Sequence, residues 1–302
     1  MAQIPVLERA SVGAPLTRVG ISLIPVYLHG DNPPALSADT SAVSVTEAPN
    51  AHVPTLTVTN AANLPTLVTE GEVLRGGQQD RVVNTSVLIP AGADIELPVS
   101  CVEHGRWGGG RAFSRSTQFA SRRVRRAKNA TVANSVRQTG TRRSDQGLVW
   151  SAVAFELDRL NVKSDTGSFL ATEDFGGVDT RLDEARAEVA ALGPLPGQRG
   201  VVVAHGSRIV SCDLFASTEL LAAQWSGLVN AWFLDAPEVD GRQRPGLRAA
   251  LRFVRRLGTT PGESTPAVGL GREVHIRTPR FCAQVLLADD AVVHASAFTT
   301  AA

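Results

Sequence analysis

Residues 85–102 read TSVLIPAGADIELPVSCV, and this stretch decides the fold class. A short apolar run ends at Pro90, turn residues follow at 91–94, and apolar and polar side chains alternate over 95–102. A turn of this length cannot hold a crossover helix, so the two runs are expected to pair as antiparallel strands. The sequence therefore predicts an antiparallel meander here rather than a βαβ unit.

Strand patterns precede this stretch, and helical spacing follows it. Strands are predicted at 16–29, 55–59 and 67–74, with a proline-rich loop between the first two. The later predicted elements are helices at 114–138, at 145–160 and from a cap at Asp179, a hairpin turning at 205–207, helices from Ser217 and Pro245, and strands at 272–278, 281–288 and 291–298. These patterns predict an α+β protein: an antiparallel β-rich amino-terminal part, then helices, then a carboxy-terminal α/β part with antiparallel strands.

Composition limits the class of protein. No apolar run approaches the ~18 residues of a membrane span, and residues 1–8 lack the pattern of a signal peptide. Three widely spaced cysteines, with no CxxC pair, indicate reduced thiols rather than disulfides or a thiolate zinc site. We therefore expect a soluble cytoplasmic protein that does not associate with membranes.

The length of 302 residues suits one large domain or two ordinary ones. We predict a single domain over 1–302, with a division into lobes at 1–110 and 111–302 left open. The loop at 160–179, with Gly167, Gly176 and Gly177, is a candidate boundary and equally a candidate lid, because loops longer than ~12 residues usually are linkers or functional.

Polar residues gather in the segment 70–84, EGEVLRGGQQDRVVN, which begins at Glu70 and is flanked by apolar strands. Its two adjacent glycines allow a positive φ and close approach of the backbone to a ligand. Its arginine offers a planar fork for a phosphate or a carboxylate, and its amides add neutral donors and acceptors. A ligand site and a solvated hairpin end both explain this composition. The candidate ligand-binding residues of this segment are Gly76, Gly77, Gln79, Arg81 and Asn84.

A second cluster, CVEHGRW at 101–107, ends a predicted strand. Strand alternation places Cys101 and Glu103 on one face and His104 on the other. A bend at Gly105 would bring Glu103, His104 and Arg106 toward one pocket, with Glu103 as general base or His104 as acid/base. The alternative is a buried Cys101 that packs as a small hydrophobe, with His104 at the strand end.

Positive charge is concentrated between Arg111 and Arg143, which contain ten lysines or arginines and no acidic residue. Together with nearby aromatic side chains, this charge suits nucleic acid or a dinucleotide, although no nucleic-acid motif is present. A solvated helix face, or a partner for the acidic segment 165–188, explains the same pattern and is favoured over nucleic acid.

The sequence predicts no zinc site, because the six histidines occur in neither an HxH nor an HExxH motif. A divalent cation such as Mg²⁺, bound through Glu70, Glu72 or Glu103, stays open.

Five runs resemble the ARPP-type family, a domain associated with ADP-ribosylglycohydrolase and rhodanese-phosphatase superfamily proteins. They are EGEVLRGGQQDRVVNTSVLIPAG (70–92), LPVSCVEHGRW (97–107), QGLVW (146–150), Ser164-x-Thr166 and GVVVAHGSRIVSCDLF (200–215). The resemblance covers about Val19 to Phe233 and implies a link to NAD or ADP-ribose metabolism. The polar pattern of the family falls on Glu70, Gly76, Gly77, Gln79, Arg81, Asn84, Glu103, Arg106, Trp107, Gln146 and Trp150.

The leading hypothesis combines these residues with the resemblance. It is an enzyme or enzyme-like binder, hydrolytic if catalytic, acting on an ADP-ribose or NAD-derived or other phosphorylated nucleotide ligand. Arg81 and Arg106 clamp phosphates, Trp107 stacks on a ring, and Glu103 or Glu70 acts as acid/base or holds a metal. The alternatives are a non-catalytic module that binds nucleic acid or a protein through 111–143, and an inert partner of an ADP-ribose-processing enzyme.

Overall fold

A computed structural model describes residues 2–175, 179–236 and 243–300. Its strands are β1 (Ser11–Val12), β2 (Leu16–Arg18), β3 (Ile21–Tyr27), β4 (Val43–His52), β5 (Thr55–Asn60), β6 (Thr66–Val68), β7 (Glu72–Gly76), β8 (Arg81–Val83), β9 (Val87–Ile89), β10 (Asp94–Cys101), β11 (Ala112–Phe119), β12 (Gly200–His205), β13 (Arg208–Phe215), β14 (Glu263–Pro266), β15 (Arg272–Arg277), β16 (Phe281–Ala288) and β17 (Ala291–Thr299). Its helices are α1 (Arg122–Thr139), α2 (Gln146–Arg159), α3 (Thr180–Leu192), α4 (Thr218–Phe233) and α5 (Leu247–Thr259), with 3-10 turns at Pro5–Arg9 and Phe169–Asp174.

A closed barrel forms the core of one compact unit, which comprises Ala35–Phe175 and Pro266–Gly271. Its strands follow the order β10-β5-β4-β11-β7-β8 and pair antiparallel. Leu56 lies opposite Leu97, and both side chains are buried in the barrel with those of Val58 and Val99. The alternation that predicted β5 and β10 therefore directs one face of each strand into the core. The predicted pairing of the run 85–90 with the run 95–102 is wrong: β9 pairs with β6 in a separate two-stranded sheet, and β10 pairs with β5 and β8.

Three barrel strands, β4, β8 and β11, were not predicted from the sequence patterns, and β8 lies in the polar segment 70–84. The region of β4 was predicted as a proline-rich loop, yet Val43 and Val45 are buried, and the strand pairs with β5 and β11. The prediction of helix from residue 114 is wrong for residues up to 119, which belong to β11. Phe113 and Phe119 are buried there, and pairing with β4 and β7 overrides the weak helical spacing.

Helices α1 and α2 pack against each other, and α2 also contacts β10. The Ser121 hydroxyl accepts a hydrogen bond from the amide of Val124, and the Asp145 carboxylate accepts one from the amide of Leu148. These caps satisfy amides at each helix start. They also fix where the polar end of α2 meets the end of β10.

The other compact unit comprises Met1–Pro34, Gly176–Thr265 and Arg272–Ala302. Its sheet has the order β1-β3-β12-β13-β17-β16-β15-β14, with β2 also paired to β3. Val254 and Leu257 of α5 pack with apolar side chains of this sheet, among them Leu214 and Val285. The many antiparallel strands beside helices confirm the predicted α+β class.

The predicted boundaries fall unevenly on these units. Residue 110 lies inside the barrel unit, so a division there does not separate the units; the single domain over 1–302 stays a prediction. The loop at 160–179 contains the turn Phe169–Asp174, whereas Gly176 and Gly177 lie outside the described residues. Within the described chain, no helix combines the length and apolarity that crossing a bilayer requires.

Candidate functional site

Two nearly buried carboxylates share one arginine in the barrel unit. Nη2 of Arg106 lies 2.6 Å from Oε2 of Glu103 and 3.3 Å from Oδ1 of Asp80. The side chains of Asp80 and Glu103 are 8% and 5% exposed, whereas that of Arg106 is 28% exposed. The guanidinium therefore links an interior acid pair to the surface.

Strand pairing explains why residues distant in sequence meet here. Asp80 directly precedes β8 and Glu103 follows β10, and these strands are antiparallel neighbours with Cys101 opposite Arg81. The start of one strand consequently lies beside the end of the other. The amide of Asp80 donates to Oε2 of Glu103 over 2.9 Å, and the amide of Val102 donates to the Asp80 carbonyl.

The paired glycines shape the turn that carries Asp80. Gly76 and Gly77 have φ values of 120° and 54°, which glycine adopts readily. The Gly76 amide donates to Oδ1 of Asp80, and Nη1 of Arg106 donates to the Gly77 carbonyl over 2.9 Å. A Cβ at Gly77 would lie 2.0 Å from the ring of Phe113. Both glycines thus hold the protein's own side chains in place.

A loop after α2 covers the carboxylates with hydroxyl groups. Thr166 donates to Oε1 of Glu103, and Ser168 donates to Oδ2 of Asp80, each over 2.7 Å. Backbone hydrogen bonds fix the loop, since the Gly105 amide donates to the Thr166 carbonyl and residues 103 and 168 form a β-bridge. Each carboxylate oxygen therefore has a hydrogen-bond donor.

The two carboxyl groups are pushed in opposite directions. Burial raises the pKa of Asp80, and the nearby Glu103 carboxylate adds to this rise, which outweighs the hydrogen bonds from Gly76 and Ser168. Burial also raises the pKa of Glu103, but hydrogen bonds from Arg106, from the Asp80 amide and from Thr166 outweigh it, so its pKa is lowered. A protonatable acid beside an ionised one is the arrangement used in acid/base catalysis.

Arg81, predicted to clamp a phosphate, is fully buried. Nη1 of Arg81 donates to the carbonyl and side-chain oxygens of Gln79, and Nη2 lies 3.8 Å from Oε1 of Glu47. Gln79 in turn donates to the Glu103 carbonyl over 2.9 Å. These contacts make Arg81 and Gln79 a support beneath Glu103, since neither side chain is open to a ligand.

Glu70, predicted as an acid/base, lies in a different buried cluster. Its Oε2 accepts from Nη2 of Arg125 over 2.8 Å, and its Oε1 lies 2.6 Å from Nζ of Lys128. Burial raises the pKa of Glu70, but the two cations outweigh it and lower the pKa to about 2. All three side chains are at most 2% exposed. Glu70 is therefore an anchor for α1 that is charged at neutral pH.

Asn84 and Gln146 hold elements together. The side-chain Nδ2 of Asn84 donates to the Arg142 carbonyl, and its side-chain oxygen accepts from the Ser100 hydroxyl. The Gln146 side chain accepts from the Cys101 amide and donates to the Cys101 carbonyl over 2.9 and 2.7 Å. Gln146 thus pairs with the end of β10 as a neighbouring strand would, and it fixes α2 beside Glu103.

A cavity of about 460 Å³ adjoins this region, lined by His104, Gly147, Trp150, Ser151, Val153, Ala154, Leu157 and Gly167. The rings of His104 and Trp150 meet edge to face with centroids 4.4 Å apart. His104 therefore faces the cavity, whereas Glu103 and Arg106 converge with each other as the predicted bend requires. The neighbouring Trp107 is 58% exposed.

Four cations of the basic segment 111–143 pair with carboxylates within the barrel unit. Arg115 pairs with Glu72, Arg123 with Glu156, and Arg125 and Lys128 with Glu70. None of these acidic partners lies in the acidic segment 165–188. Much of the charge that suggested nucleic acid is therefore internal.

The described residues contain no group of three or more histidine, cysteine, aspartate or glutamate side chains placed to hold a metal ion. Glu70 and Glu72, two of the predicted magnesium ligands, face arginine or lysine instead. All three cysteines are buried as free thiols, and burial raises the pKa of Cys101. A divalent metal at Glu103 stays a prediction.

Two site residues escaped the sequence analysis: Asp80 and Ser168. Asp80 stands in the quoted polar segment, between Gln79 and Arg81, and its nearness to the glycine turn was the available signal. Ser168 carried no signal in the sequence, because its contact with Asp80 depends on how the loop folds back.

Fold and site together define an α+β protein whose six-stranded barrel holds a carboxylate pair bridged by an arginine. The chain belongs to the ARPP-1 family: residues 9–298 match the ARG and Rhodanese-Phosphatase-superfamily-associated Protein domain. This match confirms the resemblance noted in the sequence. The family is associated with the ADP-ribosylglycohydrolase and rhodanese-phosphatase superfamilies. Neither a curated protein nor a solved structure matches the chain.

Proposed function

We propose that the barrel unit binds an ADP-ribose or NAD-derived, or other phosphorylated nucleotide, ligand and hydrolyses it at Asp80 and Glu103. The observation that carries the proposal is the pair of nearly buried carboxylates, with pKa values displaced in opposite directions, joined by the part-exposed Arg106. Perturbed carboxyl groups beside a cavity are typical of acid/base sites. The association recorded for the family supports the class of ligand.

The roles follow from the protonation states. Glu103, ionised through its three donors, takes a proton from the attacking water. Asp80, whose pKa is raised, gives a proton to the leaving group as its bond to the ligand breaks. The oxygen of water ends on the ligand, and the two carboxyl groups exchange protonation states during the reaction. Thr166 and Ser168 hold the carboxylates at fixed angles.

The ligand contacts are assigned by exposure. Arg106 is the cation of the site that solvent reaches, so it is the phosphate contact in the proposal. The cavity beside His104 and Trp150 has a volume within the usual range for small-molecule sites, and its two rings provide a surface for a base or a ribose. Trp107 adds an exposed indole for stacking.

The binding test uses thermal stabilisation by ADP-ribose, NAD and adenosine monophosphate. Stabilisation of the wild type identifies a ligand of the native state. We expect Arg106→Gln to lose most of the shift and Arg75→Gln to keep it, because Arg75 is an exposed arginine of the same unit that pairs with Glu173. The absence of any shift in the wild type, or an equal shift in both variants, would contradict the proposal.

The turnover test follows products of the stabilising ligand by chromatography. Glu103→Gln should lower the rate by roughly 100-fold or more, as loss of a general base does. Glu96→Gln on β10 is the matched control, because Glu96 is exposed and its replacement removes the same charge. Binding without turnover in the wild type would leave an enzyme-like binder and remove the hydrolytic role.

A further inference from the structure

A second cavity, of about 470 Å³, lies in the other compact unit, against α5 and the ends of β13, β16 and β17. Phe253 and Phe281 form its apolar floor, with ring centroids 5.8 Å apart in an edge-to-face arrangement. Phe281 is buried and Phe253 is half-buried. The floor therefore has a fixed aromatic surface beneath an open space.

Arginines surround this floor. Arg256 on α5 and Arg280, just before β16, are exposed on its lining together with Arg208. Within the part of the chain that the structure describes, the guanidinium groups of Arg256 and Arg280 make neither an ion pair nor a hydrogen bond. Among the described residues that line the cavity, none carries a carboxylate. Two uncommitted cations thus adjoin an aromatic floor.

This arrangement contrasts with the basic segment 111–143. Arg125 and Lys128 there are buried against Glu70, so their charge is already balanced. The helix α5, LRAALRFVRRLGT, contains no acidic residue, and Arg252 is also exposed and without a partner among the described residues. This helix therefore carries positive charge that no acidic side chain of the described residues balances.

We propose that this cavity binds a phosphorylated aromatic small molecule of mononucleotide size. The base packs on Phe253 and Phe281, and the phosphate lies between Arg256 and Arg280, since arginine forks match phosphate oxygens. The cavity volume falls in the range of small-molecule sites, which favours a single nucleotide over a strand. The site goes beyond the proposed barrel function and shares no residue with it.

The test is calorimetric titration with adenosine monophosphate, with adenosine and inorganic phosphate as partial ligands. The protein is the full chain carrying Arg106→Gln, which removes the phosphate contact proposed for the barrel, and it is compared with wild type so that heat from the barrel is recognised. Arg256→Ala and Arg280→Ala should each weaken adenosine monophosphate binding about tenfold or more, as loss of a charge-assisted hydrogen bond does. Because both side chains are exposed, the variants should keep the wild-type melting temperature.

Arg252→Ala is the matched control, because Arg252 has the same charge and exposure on the same helix but does not line the cavity. It should leave the affinity unchanged, and adenosine and phosphate should each bind more weakly than the nucleotide. An equal loss in Arg252→Ala, or a nucleotide affinity no higher than that for phosphate, would overturn the proposal. Tighter binding of an oligonucleotide that also depends on Arg252 would replace the small molecule with a nucleic-acid strand.

Discussion

At the scale of single residues, the site depends on what each carboxylate contacts rather than on its identity. Asp80 and Glu103 share Arg106 and each has two further donors, yet Glu103 receives the shorter contact with the guanidinium. Glu70, with an equally short cation contact, is closed to solvent and stays ionised. Two buried cations therefore keep Glu70 ionised at neutral pH, whereas Asp80 and Glu103 share one part-exposed cation.

The opposed pKa shifts predict the pH dependence of hydrolysis. Glu103 must be ionised, so the rate should fall as the pH drops through its lowered pKa. Asp80 must be protonated, so the rate should fall as the pH rises through its raised pKa. The profile should be a bell with its optimum on the acid side of neutrality. A rate that climbs steadily through neutral pH in a steady-state assay would rule out these roles.

Removal of Arg106 should destabilise the barrel at neutral pH. Arg106→Ala leaves two carboxylates without their cation, and we expect a loss of about 1–3 kcal/mol, reduced from a fully buried pair because Arg106 is part-exposed. The lowered pKa of Glu103 means that this stabilisation is fully present above its ordinary pKa of 4.5 and is lost as the pH falls from there through the lowered pKa.

Urea unfolding at pH 7 and at pH 4 measures this difference. The gap between wild type and Arg106→Ala should be large at pH 7 and should narrow at pH 4. Arg75→Ala, which breaks an exposed pair with Glu173, should cost less than about 1 kcal/mol at both pH values. A gap that does not change with pH would show that Arg106 stabilises by packing and not by charge.

At the scale of elements, the sequence predicted strands well where apolar and polar residues alternate over a long stretch. It predicted them poorly where a segment is a strand because of its neighbouring strands. The strands β5, β10, β15, β16 and β17 all fall within a residue or two of their predicted positions. The strand β4 was missed because its short alternation is interrupted, and residues 114–119 of β11 were assigned to a helix because they were read together with the basic, weakly amphipathic segment that follows them. Both are strands because the barrel needs partners for β5 and β7.

The junction between the β6–β7 turn and α1 depends on the charge of Glu70. Glu70→Gln keeps the shape but leaves Arg125 and Lys128 buried without their carboxylate, so we expect a loss of about 3 kcal/mol at pH 7. The pKa of about 2 means that this stabilisation is present above 4.5 and is lost as the pH falls toward 2. Urea unfolding across this range measures it.

The stability at acid pH tests whether the charge of Glu70 is responsible for this effect. The stability of the wild type should fall more steeply between pH 4.5 and about 2 than that of Glu70→Gln, which has no group to protonate. Glu96→Gln on β10 is exposed and should follow the wild type. Equal stability of Glu70→Gln and wild type at pH 7 would mean that the two cations find other partners.

At the scale of the whole molecule, charge and chain order carry information that local patterns do not. The sequence located the basic segment 111–143 and the polar segment 70–84, but it could not show that Glu70 and Lys128, far apart in the chain, neutralise each other. It placed Glu103 and Arg106 together because they are close in sequence. It could not place Asp80 and Ser168, whose meeting requires the complete barrel unit.

Chain order also predicts the sequence of folding events. The barrel unit is almost continuous in sequence, whereas the sheet of the other unit pairs β3, which precedes the barrel, with β12, which follows it. Ile24 opposite Val202 closes a loop that contains the whole segment 35–175, and long loops close slowly. If the barrel folds first, the chain between β3 and β12 is already compact, and the loop that their pairing must close is effectively shorter. We therefore expect barrel amides to gain protection before those of the β3–β12 pair.

Pulse-labelled hydrogen exchange during refolding measures this order, with the amides of β5 and β10 compared with those of β3 and β12. Glu70→Gln weakens the barrel unit and changes no residue of the β3–β12 pair. If the barrel must fold before β3 and β12 can pair, this substitution should also delay protection of the β3–β12 amides. Glu96→Gln should leave both rates unchanged. If the β3–β12 amides are protected as early as the barrel, or are unaffected by Glu70→Gln, the two units fold independently and the insertion of one into the other does not set the order.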